Sequence, residues 1–310
     1  MFYILLFCLF ILLFIFGMTI LRTGLFNVSG HSLQNWLEKW TDAHWKGLLI
    51  GTFITGVLQS SSAVMVMTIG LISAGMLTFR QSIGIILGTN IGTTFTTEFI
   101  TFQIDSILIP FAIVGAIFIC FSHIRMKSIG LILLGISSVF TAMSGFEFLA
   151  SPLAELSFIK DSIVGLNTSK LFSIVTGIIL TAVIQSSSAT TGIIMGFLTT
   201  NVLNISAGIG VMLGSNIGTC VTSLFASVGG GRESKLCAYA HVWLNVVGVL
   251  LFIPLIGFLT QIAPLLAYEP DVQLAHISLV FNVVSSLIVL PFATKFGEFI
   301  LRVHGGSKTY

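Results

Sequence analysis

The sequence predicts an all-α integral membrane protein of two inverted repeats, each holding a re-entrant helical hairpin and a broken transmembrane helix. Three observations predict it. Hydrophobic residues make up 55% of the 310 and charged ones only 8%, and the mean hydropathy is +1.07. The run Gln59-Ser60-Ser61-Ser62-Ala63, set in an apolar stretch, returns as Gln185-Ser186-Ser187-Ser188-Ala189, and 185 − 59 = 126. Gly88-Thr89-Asn90-Ile91-Gly92-Thr93 returns as Gly214-Ser215-Asn216-Ile217-Gly218-Thr219, and 214 − 88 is again 126. Two clusters repeated at one separation mark a duplicated unit with no insertion between them.

Residues 2–21 carry no charge and read as the first crossing, since about 20 apolar residues span a bilayer core. Lacking a basic start and a small-residue cleavage site, they do not read as a leader. Residues 22–46 mix Trp36, Trp40 and Trp45 with Glu38, Lys39, Asp42 and Lys46, as expected of an interfacial helix. The segment 47–77 is apolar on both sides of its serines. At 1.5 Å per residue, arms of about 12 and about 15 residues fall short of a core about 30 Å thick. One tilted helix with a polar belt remains open, but a hairpin with the serines at its tip is the expectation. A broken crossing at 82–102 follows, then crossings at 106–124 and 129–149 and a polar link at 151–170. The second copy gives a hairpin at 171–203 and a broken crossing at 206–228. Crossings at 236–256 and 273–293 end the chain. The first repeat is expected at 1–128, the second at 129–256, and a final helix with its tail at 257–310.

With re-entrant hairpins, one face collects Arg22, Lys39, Lys46, Arg80, Arg125, Lys127, Arg232, Lys235, Lys295, Arg302 and Lys308. The other collects only Lys160 and Lys170. This bias makes the first face cytoplasmic, with the N-terminus outside and the C-terminus inside. Three crossings then separate the copies, an odd number, so the repeats are inverted. Inversion brings the two serine tips together near the bilayer midplane.

Unpaired amides and hydroxyls are costly in hydrocarbon, so these polar runs need a reason. Serine hydroxyls donate and accept, and a helix that starts at the serines points free N–H groups into the tip. Helix N-termini bind anions without net positive charge, so two facing tips suit a tetrahedral oxyanion. No Lys or Arg lies within either run, which leaves the electrostatics to dipoles and co-bound cations. Sodium takes the hard oxygens that hydroxyls and amides supply, so Asn90, Thr93, Asn216 and Thr219 suit a cation as well as the anion. Close packing competes for the glycines, because Gly88-x-x-x-Gly92 and Gly214-x-x-x-Gly218 fit the small-xxx-small pattern. A smaller echo leads from Asn245 to Pro254 and from Asn282 to Pro291, with His241 and His276 upstream, four polar groups that need partners. A net charge of +2 and no basic arm argue against nucleic acid. Cys8, Cys120, Cys220 and Cys237 lack CxxC spacing and read as buried small side chains. No paired carboxylate or nucleophile–base set suggests an enzyme.

The paired QSSSA motifs, the GTNIGT and GSNIGT motifs and Ala240-His241-Val242-Trp243-Leu244-Asn245 together resemble the type II sodium/phosphate cotransporter family, bacterial branch. The resemblance spans about residues 13–292, with Gly17 and Gly135 as the glycines that open the two halves. It implies secondary transport of inorganic phosphate, driven by sodium as coupling ion with no organic cofactor, in the bacterial inner (plasma) membrane. The oxyanion is then expected at Gln59, Ser60, Ser61, Ser62, Gln185, Ser186, Ser187, Ser188, Thr93 and Thr219. Sodium is expected at Gln59, Ser62, Asn90, Thr93, Ser188, Asn216 and Asn245. Animal relatives that move net charge place an Asp after a His in the first repeat's His-x-x-x-Asn segment; here that segment follows only the second repeat, and Val242 follows His241. Sodium stoichiometry and electrogenicity therefore stay open, and Cys220, where the first copy has Thr94, makes the two halves chemically unequal. Phosphate, sodium and the lipid bilayer are the expected partners, with a homodimer left open. A passive or exporting oxyanion carrier and a non-transporting membrane scaffold are the alternatives.

Overall fold

The computed structural model describes residues 1–305, without the side chains of residues 30–32 and 34; Lys308 lies outside the described residues. Among these the chain is all helical. Five stretches are long and apolar enough to cross a bilayer: Phe2–Ser29, Ile124–Ala154, Ile205–Ser227, Arg232–Leu266 and Pro270–His304.

Helix α1 runs unbroken over Phe2–Lys39, so the separate interfacial helix expected at 22–46 is instead its second half. No proline interrupts it, and the break falls after Trp40. Its partner is α6, Ile124–Ala154, which opens the second half. The two pack antiparallel. Phe10 lies over Gly145, a Cβ on Gly17 would stand 2.7 Å from the Ser138 Cβ, and one on Gly24 would stand 2.6 Å from the Ser128 carbonyl. Residue numbers rise along one helix as they fall along the other. Between them in sequence, α5, Asp105–Ile119, contains Pro110 and has only 15 residues, about 22 Å of helix, shorter than the crossing expected at 106–124. The link expected at 151–170 is in fact a helix, α7, Ser157–Thr168, bent by 120° from the one that follows.

Helices α2 (His44–Leu58) and α3 (Ser61–Ser73) meet at Gln59 and Ser60; α8 (Lys170–Ile184) and α9 (Ser187–Thr199) meet at Gln185 and Ser186. The glutamines are left-handed, with φ 52° and 60°, and the serines extended, with φ −159° and −150°. A left-handed residue ends a helix and the extended one redirects the chain. Thr181 Oγ1 donates to Thr190 Oγ1 at 2.9 Å. Nine residues of straight helix would hold them about 13.5 Å apart, so α9 folds back along α8. Matching dihedrals give the first junction the same local turn.

Helices α4 (Phe79–Phe99) and α10 (Ile205–Ser227) are continuous, which corrects the broken crossings expected at 82–102 and 206–228. The physical reason lies in their hydroxyls. Thr89, Thr93 and Thr94 donate to Ile86, Thr89 and Ile91 carbonyls at 2.7–2.8 Å, and Ser215 and Thr219 donate to Met212 and Ser215 carbonyls at 2.7 and 2.8 Å. Polar side chains that bond back one turn need no unwound backbone. The glycines serve packing: a Cβ on Gly88 would strike the Leu48 carbonyl, and one on Gly214 the Ile174 carbonyl. Gly92 meets Thr55 as Gly218 meets Thr181. Each contact recurs 126 residues on, so α4 lies on α2 as α10 lies on α8.

The proline echo also has a structural meaning. Helix α11 (Arg232–Phe252) reaches α12 (Ile256–Leu266) through a 3-10 turn at Pro254. Helix α13 (Pro270–Val289) reaches α14 (Ala293–His304) through another at Pro291. Proline withholds an N–H, and the chain tightens instead of breaking.

Candidate functional site

The two hairpin tips line one cavity. Gln59, Ser60, Ser61 and Ser62 face Gln185, Ser186, Ser187 and Ser188, with Arg22, Thr93 and Thr96 completing the wall. Its volume is 10 Å³, room for about one water.

The serines divide by role. Ser60 Oγ accepts from Ala63 N at 3.1 Å, and Ser186 Oγ accepts from Ala189 N at 3.2 Å, so these two cap α3 and α9. Both helices therefore begin at the cavity and turn the positive ends of their dipoles toward it. Ser61, Ser187 and Ser188 make no side-chain hydrogen bond among the described residues, which leaves their hydroxyls to the cavity. Ser62 Oγ lies 3.4 Å from Thr222 Oγ1. The glutamine amides steady the turns: Gln59 Nε2 donates to the Gly56 carbonyl at 2.5 Å, and Gln185 Nε2 to the Ala182 carbonyl at 2.7 Å. Gln59 Oε1 is buried and without a partner among the described residues. Such an oxygen wants a cation or a donor.

Thr55 Oγ1, one turn back, is unpaired among the described residues as well. Its counterpart Thr181 bonds Thr190, but the residue equivalent to Thr190 is Val64, since 190 − 126 = 64. The two halves are thus chemically unequal at more than Cys220.

The expected sodium set does not gather in one place. Gln59, Ser62, Thr93 and Ser188 border the cavity. Asn90 instead donates from Nδ2 to Asn245 Oδ1 at 3.3 Å, and Asn245 Nδ2 donates to the His241 carbonyl at 2.9 Å. Asn216 Nδ2 donates to the Met212 carbonyl at 2.9 Å. Thr219 is also absent from the cavity wall, with its hydroxyl spent on Ser215. The histidines have protein partners: His241 Nδ1 is 2.7 Å from Ser223 Oγ, and His276 Nδ1 is 2.9 Å from Glu98 Oε1.

Three residues near the tips escape a reading by motif: Arg22, Thr96 and Thr222. The repeat could have found the threonines, since 96 + 126 = 222. Arg22, assigned by sequence to the cytoplasmic face, lies instead at the tips, and it corrects the expectation that dipoles and cations alone supply the positive field.

A model of the Na+/Pi-cotransporter family matches residues 13–147 and 155–269. The chain is 42% identical over 294 residues to the uncharacterized protein YqeW of Bacillus subtilis (strain 168), covering 94% of each. It is 19% identical over 288 residues to the "Putative inorganic phosphate export protein YjbB" of Escherichia coli (strain K12), covering 93% of this chain and 53% of YjbB, so it spans about half of that relative's length. It is 30% identical over 133 residues to sodium-dependent phosphate transport protein 2A of Rattus norvegicus, covering 41% of this chain and 20% of the rat protein. No solved structure matches. With the family model matched over most of its length, an all-helical membrane architecture and the doubled serine tips, this chain belongs to the Na+/Pi-cotransporter family, a family of phosphate transporters.

Proposed function

We propose that the chain is a sodium-coupled carrier of inorganic phosphate, working by alternating access at a site half-way through the bilayer between two re-entrant hairpin tips. The observation that carries this reading is the single cavity shared by both QSSS tips, each at the N-terminus of a helix. The free hydroxyls of Ser61, Ser187 and Ser188 and the helix-start N–H groups hold the oxyanion. Sodium takes the unpaired Gln59 oxygen together with Ser62, Thr93 and Ser188, and the rat relative's name supports that coupling. Room for about one water means the tips part to admit phosphate, as a carrier that alternates between closed and open forms requires.

Residues 1–128 and 129–256 are the inverted repeats in this reading, followed by the last helix and tail at 257–310. The antiparallel packing of α1 on α6, the helices that open the two halves, supports inversion. Leaving Arg22 out of the charge tally keeps the remaining bias, so the N-terminus is placed outside and the C-terminus in the cytoplasm, in the plasma membrane.

Reconstituted in liposomes, the protein is expected to accumulate labelled phosphate when sodium is high outside, and to stop when the gradient is collapsed. Uptake indifferent to sodium would remove the coupling. The name of YjbB supports a second reading, outward movement; sodium-independent loss of phosphate from preloaded vesicles would select it.

A further inference from the structure

Arg22 lies inside the first membrane-crossing stretch, Phe2–Ser29, where a charge is costly unless something answers it. No carboxylate does: among the described residues the ion pairs are Lys46–Asp42 and His276–Glu98. Its Nε donates to the Gln59 carbonyl at 3.0 Å, which pins the guanidinium to the first tip. The two terminal nitrogens make no hydrogen bond among the described residues. This leaves the paired N–H fork that matches an oxyanion two bonds at a time.

Its position adds a second argument. Arg22 borders the small cavity between the tips and also a larger space of 530 Å³ beside α1 and α3, lined by Thr23, Phe26, Ser62, Val66 and Met67. Ser62 borders both spaces as well. The pull of a full charge there exceeds that of a screened helix end, and the wall of the larger space is otherwise mostly apolar.

We propose that Arg22 binds the oxyanion directly, holding it against the serine tips. This rests on the reading of the tips as a phosphate site. Calorimetric titration of the detergent-purified protein with inorganic phosphate, at fixed sodium and ionic strength, tests it. Arg22→Gln is expected to weaken phosphate binding by about 10- to 100-fold, the loss of a charge-assisted fork. Arg22→Lys keeps the charge but loses the fork, and is expected to fall between wild type and Gln. A folded Arg22→Gln protein that binds phosphate like wild type overturns the proposal. If that variant does not fold, Arg22→Lys with unchanged affinity overturns it. Should wild type show no binding of phosphate or arsenate, the tip reading itself fails and the role of Arg22 with it; a wild type that binds beside an indifferent variant sinks the role of Arg22 alone.

Discussion

Alanine at both Ser61 and Ser187 is expected to lower phosphate uptake by about 100-fold or more while leaving the thermal melt almost unchanged. Neither hydroxyl bonds to protein among the described residues, so the fold loses little, within about 0.5 kcal/mol for substitutions that break no packing or hydrogen bond. A hydrogen bond to a charged ligand contributes about 1.5–3 kcal/mol, and two lost together give at least that fold-change. Ser60→Ala with Ser186→Ala is the contrast. Those hydroxyls cap α3 and α9, and each cap contributes about 0.5–2 kcal/mol, so the melt should fall along with transport. Initial uptake rates in liposomes beside melts in detergent separate the two pairs. Equal melting losses in both would mean that all four serines are structural.

Gly88→Leu and Gly214→Leu are expected to abolish the folded protein. A side chain at either glycine meets a backbone carbonyl, of Leu48 or Ile174, which cannot swing aside as a rotamer can. Even alanine should cost about 1–3 kcal/mol by overpacking. Gly70→Ala in α3 is the control: nothing stands within 4 Å of its Cβ, and a helical glycine replaced by alanine gains about 0.5–1 kcal/mol. Size-exclusion profiles and melts should show aggregation for the two leucines and a normal or raised melt for Gly70→Ala. Well-folded leucine variants would contradict the close α2–α4 and α8–α10 seams.

Much of this architecture was legible because duplication repeats its own errors and its own successes. The QSSS tips and the glycine seams each occur twice, 126 residues apart in sequence and again in space, and the smaller proline echo, 37 residues apart, twice forms a 3-10 turn. What stayed hidden depends on how a side chain spends its hydrogen bonds. Thr93 and Thr219 look like the lining of an unwound helix, yet both bond back one turn and keep it wound. Gln59 and Gln185 look like ligands throughout, but their amides cap the helix behind them, and only the Gln59 oxygen is left over. Arg22 was hidden for a different reason. It follows a long apolar run and looks like the cytoplasmic end of a crossing, whereas α1 continues to Lys39 and leaves it half-way along. A boundary drawn at the first charge misplaced the one cation at the tips.

The most direct measurement is the number of phosphate ions bound per chain, taken with wild type, Ser61→Ala and Ser187→Ala in the same calorimetric series. Two tips closing on one ion predict a single site in the wild type, weakened by either substitution alone. Two independent sites, or one substitution that leaves the affinity as it was, would contradict the shared cavity as the place where phosphate is held.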